Sequence, residues 1–190
     1  MNLSGTFNAL RVLYNPWLFL PHSVIPNFGK LQVPIPPGPS NKPIKLVILD
    51  KDNCFAEPHS DHVWPEYDSK WQELRNAYPG DQLLIVSNTA GSKDDSGNNQ
   101  ARALEKSTGV KVFHHSLKKP GCHGEILSYA KTQGLVESND QIAIVGDRLM
   151  TDVLMANLMN AQAIWVRDGV VPSKNPLVRL EKSFYDFMSR

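Results

Sequence analysis

Two aspartates, Asp50 and Asp52, close the stretch LVILDKDNC directly behind four apolar residues. Other apolar runs end in groups of the same chemical character: Ser87-Asn88-Thr89 after one, Lys118-Lys119-Pro120 after a second, and Gly146-Asp147 with Asp152 close behind after a third. Carboxylate oxygens suit a hard divalent cation, and hydroxyl, amide and ammonium groups suit a phosphate. A single Asp in such a place is ordinarily a helix cap or turn residue, a reading that weakens when several runs end alike. Gathering Asp50, Asp52 and Asp147 on one rim brings like charges together, which is unfavourable unless a cation neutralises them. Mg²⁺ fits best where a substrate phosphate completes its shell, and the lack of His at ligand spacing makes zinc less attractive.

These residues need a frame that brings distant segments to one edge. Apolar runs at residues 45–50, 82–87, 111–116, 141–146 and 163–167 alternate with helix-like segments at 64–77, 98–107, 123–133, 150–160 and 176–188. Near-continuous apolarity predicts strands covered on both faces, as in a parallel sheet. The alternation predicts an α/β fold with a doubly wound, mainly five-stranded parallel sheet, whose ligands bind beyond the carboxyl ends of the strands. In the first helical segment Trp64, Tyr67, Trp71 and Leu74 share a face; in the last, Leu177, Leu180, Phe184 and Phe187 recur at helical spacing.

Composition excludes several classes of function. The 190-residue chain has a formal charge of +1, without a basic block, so nucleic acid is not an expected partner. Cys54 and Cys122 form neither a CxxC pair nor a disulfide framework, in keeping with a reducing compartment, and Cys54 reads as a small buried thiol. Pro16, Pro21 and Pro26 interrupt the N-terminal apolar stretches before they reach the roughly 18–20 residues of a membrane span. Residues 1–49 contain no Asp or Glu. Within them, Phe7, Leu10, Leu13, Tyr14, Trp17 and Leu18 fall near one side of a helical projection, and PWLFLPH suits a membrane interface. Residues 1–30 are therefore read as an amphipathic membrane-associating segment; packing on the body and a transit peptide are the other readings. Residues 31–43, LQVPIPPGPSNKP, read as a Pro-rich spacer, and 44–190 as the folded domain.

DKDNC, VSNTAG, KKP and VGDRLMTD, in this order, resemble the four signature motifs of the haloacid dehalogenase superfamily of phosphohydrolases, over about residues 44–168. The resemblance implies that Asp50 is the nucleophile and Asp52 the general acid/base. It implies phosphate binding by Ser87, with Asn88 either touching phosphate or positioning its loop, and a Lys119 that counters charge on nucleophile and phosphoryl group. Lys118 is the other candidate for that lysine. Asp50, Asp52 and Asp147 would serve as Mg²⁺ ligands, with Asp152 supporting a metal-bound water or favouring the start of its helix. Alternation along an extended chain lets Asp50 and Asp52 share an orientation and is expected to turn Lys51 away.

The gaps between motifs, residues 54–82 and 89–118, are too short for a cap domain. An open site suits a large or membrane-bound phosphomonoester, or one closed by a partner subunit, so a homo-oligomer is compatible with it. LDKDNC followed by PHSDHVWPEY, the capless spacing, VGDRLMTDV and the aromatic N-terminal segment resemble the mitochondrial phosphatidylglycerophosphate phosphatase family. That resemblance implies hydrolysis of a phospholipid substrate, phosphatidylglycerophosphate, to phosphatidylglycerol and phosphate in cardiolipin biosynthesis. It also implies a peripheral location on the matrix side of the mitochondrial inner membrane. The alternatives are a phosphatase of soluble phosphomonoesters and a non-catalytic membrane-associated scaffold. His59, His62 and Trp64 stand where a headgroup could be touched or a helix capped.

Overall fold

The structure, a computed structural model, describes residues 14–189. Six strands form one parallel sheet: β1 Ser23–Ile25, β2 Leu46–Leu49, β3 Leu83–Ile85, β4 Lys111–Val112, β5 Ile142–Gly146 and β6 Gln162–Val166, in the order β1-β6-β5-β2-β3-β4. Five helices accompany them: α1 Asp68–Ala77, α2 Asn99–Thr108, α3 His123–Thr132, α4 Leu154–Met159 and α5 Pro176–Met188. From β2 the chain winds outwards through β3 to β4, then returns to place β5 on the other flank of β2. The end of β2, which carries Asp50, thus lies at the topological switch point, where two strand ends splay apart and leave a crevice.

Side-chain alternation explains the two covered faces. Val47, Leu49, Ile85 and Val145 face Phe55, Trp71, Leu74 and Leu104, the apolar faces of the β2–α1 connection, α1 and α2. Leu46, Ile48, Leu84 and Ile144 face Ile126, Ala130, Met155 and Met159 of α3 and α4. Every residue of β2 is buried, which is why the run LVIL shows no polar alternation. The gaps between β2, β3 and β4 hold α1 and α2 respectively, and no cap domain interrupts the core among the described residues.

The N-terminal part differs from its sequence reading. Residues 23–25 form an edge strand that pairs in parallel with β6, Ser23 opposite Ile164. Phe19 and Phe28 are buried, and Phe28 lies 5.6 Å from Tyr67 and 6.1 Å from Trp71, ring centroid to centroid. The Asn157 side-chain amide donates to the carbonyls of Leu18 and Leu20. The Pro-rich stretch is not a free spacer: Leu31 and Ile35 are buried, and the Ile35 N–H donates to the Tyr78 hydroxyl. Proline keeps this chain extended while its intervening apolar residues drop into the core, a tertiary effect that composition does not show. The first part of the expected membrane-associating segment, with Phe7, Leu10 and Leu13, lies outside the described residues.

Because Phe28 is part of the α1-side core, Phe28→Ala should cost about 3–5 kcal/mol. That corresponds to a fall in Tm of roughly 10 °C for a domain of this size, measured by thermal unfolding. A surface-bound N-terminal segment would give almost no change.

Candidate active site

Strand ends and one loop bring the charged groups together. Asp50 follows β2, and its N–H donates to the Val145 carbonyl of β5, which holds its backbone in line with the sheet. Lys119 enters from the loop after β4, almost fully buried, with Nζ 2.5 Å from Asp50 Oδ1 and 2.7 Å from Asp152 Oδ1. Asp147 lies one residue beyond β5. Asp152 sits in a π-helical turn, Leu149–Val153, whose wider winding carries the carboxylate back to accept the Arg148 N–H. Gly146 makes this return possible, since a Cβ there would collide with the Asp152 carboxylate.

One carboxylate oxygen each from Asp50, Asp147 and Asp152 all lie within 4.8 Å of one another. Burial is the largest influence on the Asp50 carboxyl and raises its pKa; Lys119 pulls it back, Asp152 and Asp52 raise it again, and it settles at about 6. Burial, then Asp50 and Asp152, push Asp147 well above the usual carboxylate range. Burial disfavours the Lys119 ammonium, but Asp152 and Asp50 outweigh it and push its pKa up. With all three carboxylates ionised against one ammonium, two negative charges would remain, a deficit that a divalent cation would fill. The donors are all oxygens, without His or Cys, so the cluster fits Mg²⁺ rather than zinc.

The other expected residues take different positions. The Asp52 carboxylate stands outside the three-carboxylate group, although the sequence reading counted it among the metal ligands. Its Oδ1 accepts Lys51 Nζ at 2.7 Å and the His59 N–H at 2.8 Å. Lys51 does not simply face away: buried, it curls back to Asp52 and the Ser60 carbonyl, because the chain leaves the strand in a turn at Asn53, where φ is +59°. The Ser87 hydroxyl is buried against Thr89 Oγ1 at 3.0 Å, and Asn88 occupies the cleft wall and accepts the Lys119 N–H at 2.7 Å. Lys118 pairs with Asp94, which leaves Lys119 as the lysine beside Asp50.

Four supporting residues were not singled out from the sequence. The Asn53 side-chain oxygen accepts the Val170 and Val171 N–H groups, tying the first motif to the loop before α5. Arg148 chelates the buried Glu181 of α5 through Nε and Nη2, which fixes that helix to the segment carrying Asp147. His115 places its two ring nitrogens 2.9 Å from the Ser87 carbonyl and 2.7 Å from that of Leu117, bridging the end of β3 to the Lys119 loop. Most of these contacts join distant segments; the local signals were Asn53, inside DKDNC, and Arg148, inside VGDRLMTD. The resulting open cleft, about 690 Å³, has Asp50, Asp52, Lys119 and Asp147 at its base. One wall is formed by Pro58 and His59, the other by Arg148, Thr151 and residues 171–175. His59 therefore reaches the cleft, whereas His62 lines a separate cavity and Trp64 packs against the core.

Comparison with known families matches residues 3–171 to the family described as Mitochondrial PGP phosphatase. The chain belongs to that family. Among curated relatives, it is 52% identical over 188 residues to the mitochondrial phosphatidylglycerophosphatase GEP4 of Saccharomyces cerevisiae, covering 99% of both chains. A probable mitochondrial phosphatidylglycerophosphatase of Schizosaccharomyces pombe is 28% identical, over 97% of this chain and 91% of that one. A phosphatidylglycerophosphate phosphatase of Arabidopsis thaliana, named chloroplastic/mitochondrial, is also 28% identical, over 97% of this chain and 49% of its own length. By this membership the chain is an enzyme, a phosphoric monoester hydrolase.

Two outcomes follow from the geometry. Gly146→Ala should displace Asp152 and lower phosphate release about 10²-fold, read in a steady-state assay, since a shift of about 1 Å at a reacting centre has that effect. The second concerns pH. A folded-state pKa above the unfolded one means that the folded protein holds the proton more tightly. With divalent cations chelated, the contribution of Asp50 to stability is thus greatest at low pH and falls as pH rises from about 4 through about 6. Across that window the stability of Asp50→Asn should rise relative to the parent by roughly 2–3 kcal/mol in thermal unfolding. Parallel stability curves would contradict the assigned balance.

Proposed function

We propose that the enzyme hydrolyses phosphatidylglycerophosphate to phosphatidylglycerol and phosphate through an aspartyl-phosphate on Asp50. One observation carries this reading: Asp50 sits at the base of an open cleft, held by the Lys119 ammonium beside two further buried carboxylates, with Asp52 standing separately within reach. The names of the yeast and plant relatives support the substrate.

In this mechanism an Asp50 oxygen attacks phosphorus, and the bond from phosphorus to the lipid glycerol oxygen breaks. Asp52 gives a proton to that departing oxygen and later takes one from the water that cleaves the aspartyl-phosphate. Its contacts with Lys51 and the His59 N–H hold the carboxylate in place for both transfers. Lys119 keeps Asp50 oriented and balances charge on the phosphoryl oxygens, and Asn88 fixes the Lys119 backbone. Asp50, Asp147 and Asp152 would hold a magnesium ion, which when bound would supply positive charge against those carboxylates and the substrate phosphate. The Ser87 hydroxyl, turned towards Thr89, shapes the adjoining turn; phosphate contact falls to the cleft-lining Asn88.

We infer that the reaction belongs to the route to cardiolipin and takes place at the matrix side of the mitochondrial inner membrane; the names of the relatives support a mitochondrial location. No helix among the described residues is long and apolar enough to cross a membrane, which is compatible with peripheral attachment. Exposed Tyr14 and Trp17, continuing the apolar residues before them, are the described part of the N-terminal contact.

Purified protein with Mg²⁺ should release phosphate from phosphatidylglycerophosphate and lose that activity in chelator. Asp50→Asn should lower turnover about 10⁴-fold, and Asp52→Asn about 10²–10⁴-fold. Turnover of soluble phosphomonoesters with none of the lipid would replace the substrate assignment, and full activity in Asp50→Asn would remove the nucleophile assignment.

A further inference from the structure

The periodicity of α5 and its packing disagree. Leu177, Leu180, Phe184 and Phe187 share one stripe of the helix, yet the residues it buries are Val178 and Glu181. Leu177 is 52% exposed, Leu180 58% and Phe187 74%. A helix that turns its apolar stripe outward normally does so because the stripe has a partner.

The outward stance is built in. Glu181 is held by Arg148 and the Leu149 N–H, Tyr185 packs on Trp165 at 5.0 Å, and Asp186 pairs with Arg167. These contacts fix the rotation of the helix, so the stripe cannot turn into the core. Phe184 meets Phe19 edge to face at 6.2 Å, which sets the turn of residues 16–19, with its exposed Trp17, next to the helix.

The stripe is also continuous with the cleft. Lys174, Asn175 and Val178 line it, and Leu177 lies between the last two. From Leu177 the stripe runs roughly 15 Å to Phe187, at 1.5 Å per residue. Lys174 and Arg179 are exposed, and neither has a carboxylate partner among the described residues. An apolar and aromatic strip with unpaired basic residues beside it matches the interface of a bilayer that contains anionic lipid.

We infer that the exposed stripe of α5, together with Trp17, is a bilayer-docking face that seats the cleft beside the membrane surface. The inference rests on the lipid substrate proposed above. A lipid whose acyl chains stay in the bilayer presents only its headgroup, so the wall of the cleft must approach the headgroup plane. Leu180 and Phe187 enter the acyl boundary, Trp17 lies at headgroup depth, and Lys174 and Arg179 meet lipid phosphates.

The test uses the full chain with Leu180→Glu and Phe187→Glu, singly and together, and the milder Leu180→Ser in case a new charge disturbs folding. Thermal unfolding checks that each is folded. Co-sedimentation is measured with vesicles of phosphatidylcholine containing phosphatidylglycerol. Hydrolysis is compared between phosphatidylglycerophosphate in vesicles and p-nitrophenyl phosphate in solution. The double variant should bind vesicles about tenfold more weakly and lose a similar factor in kcat/KM on the vesicle substrate. On the soluble ester it should stay within about twofold. Unchanged vesicle binding overturns the inference, as does an equal loss on both substrates, which would make the stripe part of the cleft's architecture. A parent oligomer that Leu180→Glu splits into smaller species would identify the face as an interface between copies and also overturn it. Should the parent protein bind vesicles through α5 but leave the lipid unhydrolysed, the substrate assignment fails while the docking face stands.

Discussion

The buried contact between the Lys119 ammonium and the carboxylates of Asp50 and Asp152 is the interaction on which the rest of the site depends. Without Lys119, three buried carboxylates would face one another with nothing but protons to relieve them, and burying an unpaired charge costs several kcal/mol. With it, the group remains two positive charges short. Burial first, and the neighbouring carboxylates after it, hold the pKa values of Asp50 and Asp147 up, and a divalent cation would offset the negative charge that Lys119 leaves unbalanced.

Several features of the fold are arranged around that contact. The central position of β2 puts Asp50 beside the ends of β3 and β5, so Lys119 and the Asp147–Asp152 segment reach it from opposite flanks. Gly146 leaves room for Asp152, and the π turn supplies the extra residue that brings its carboxylate back to the sheet edge. Asn88 and His115 hold the Lys119 loop to the end of β3, while Asn53 and the Arg148–Glu181 pair hold the loop before α5 and α5 itself. The anchoring of α5 links chemistry to surface, because the pair that steadies the segment after Asp147 also sets the rotation of the helix and turns its apolar stripe outward.

Much of this was legible in the sequence because the relevant signals are local. The runs LVIL, LLI and IAIVG are strands with both faces covered, and their lack of alternation says so directly. The helices at 68–77, 99–108, 123–132 and 176–188 follow from apolar spacing within a few turns. The loss of legibility begins where the deciding contact is distant. A three-residue strand between Pro21 and Pro26 carries too short a pattern to be seen, and it exists because β6 offers an open edge. The Pro-rich stretch looked like a spacer because composition does not reveal that Leu31 and Ile35 have a core to enter. Lys51 was expected to point away from Asp52 on strand alternation, but the strand ends at Leu49 and the turn that follows breaks the alternation.

By itself, then, the sequence determined the parallel α/β core, the position of Asp50 at the end of a buried strand, and the identity of the carboxylates and lysines that could meet there. Residue types and short-range periodicity carry that information. Only the tertiary structure decided which lysine lies against Asp50, that Asp52 stands apart from the three-carboxylate group, that Ser87 spends its hydroxyl on Thr89, and which way α5 faces. Each of those outcomes depends on an electrostatic or packing partner tens of residues away or on a side-chain direction set by a turn, and neither is encoded in the spacing of neighbouring residues.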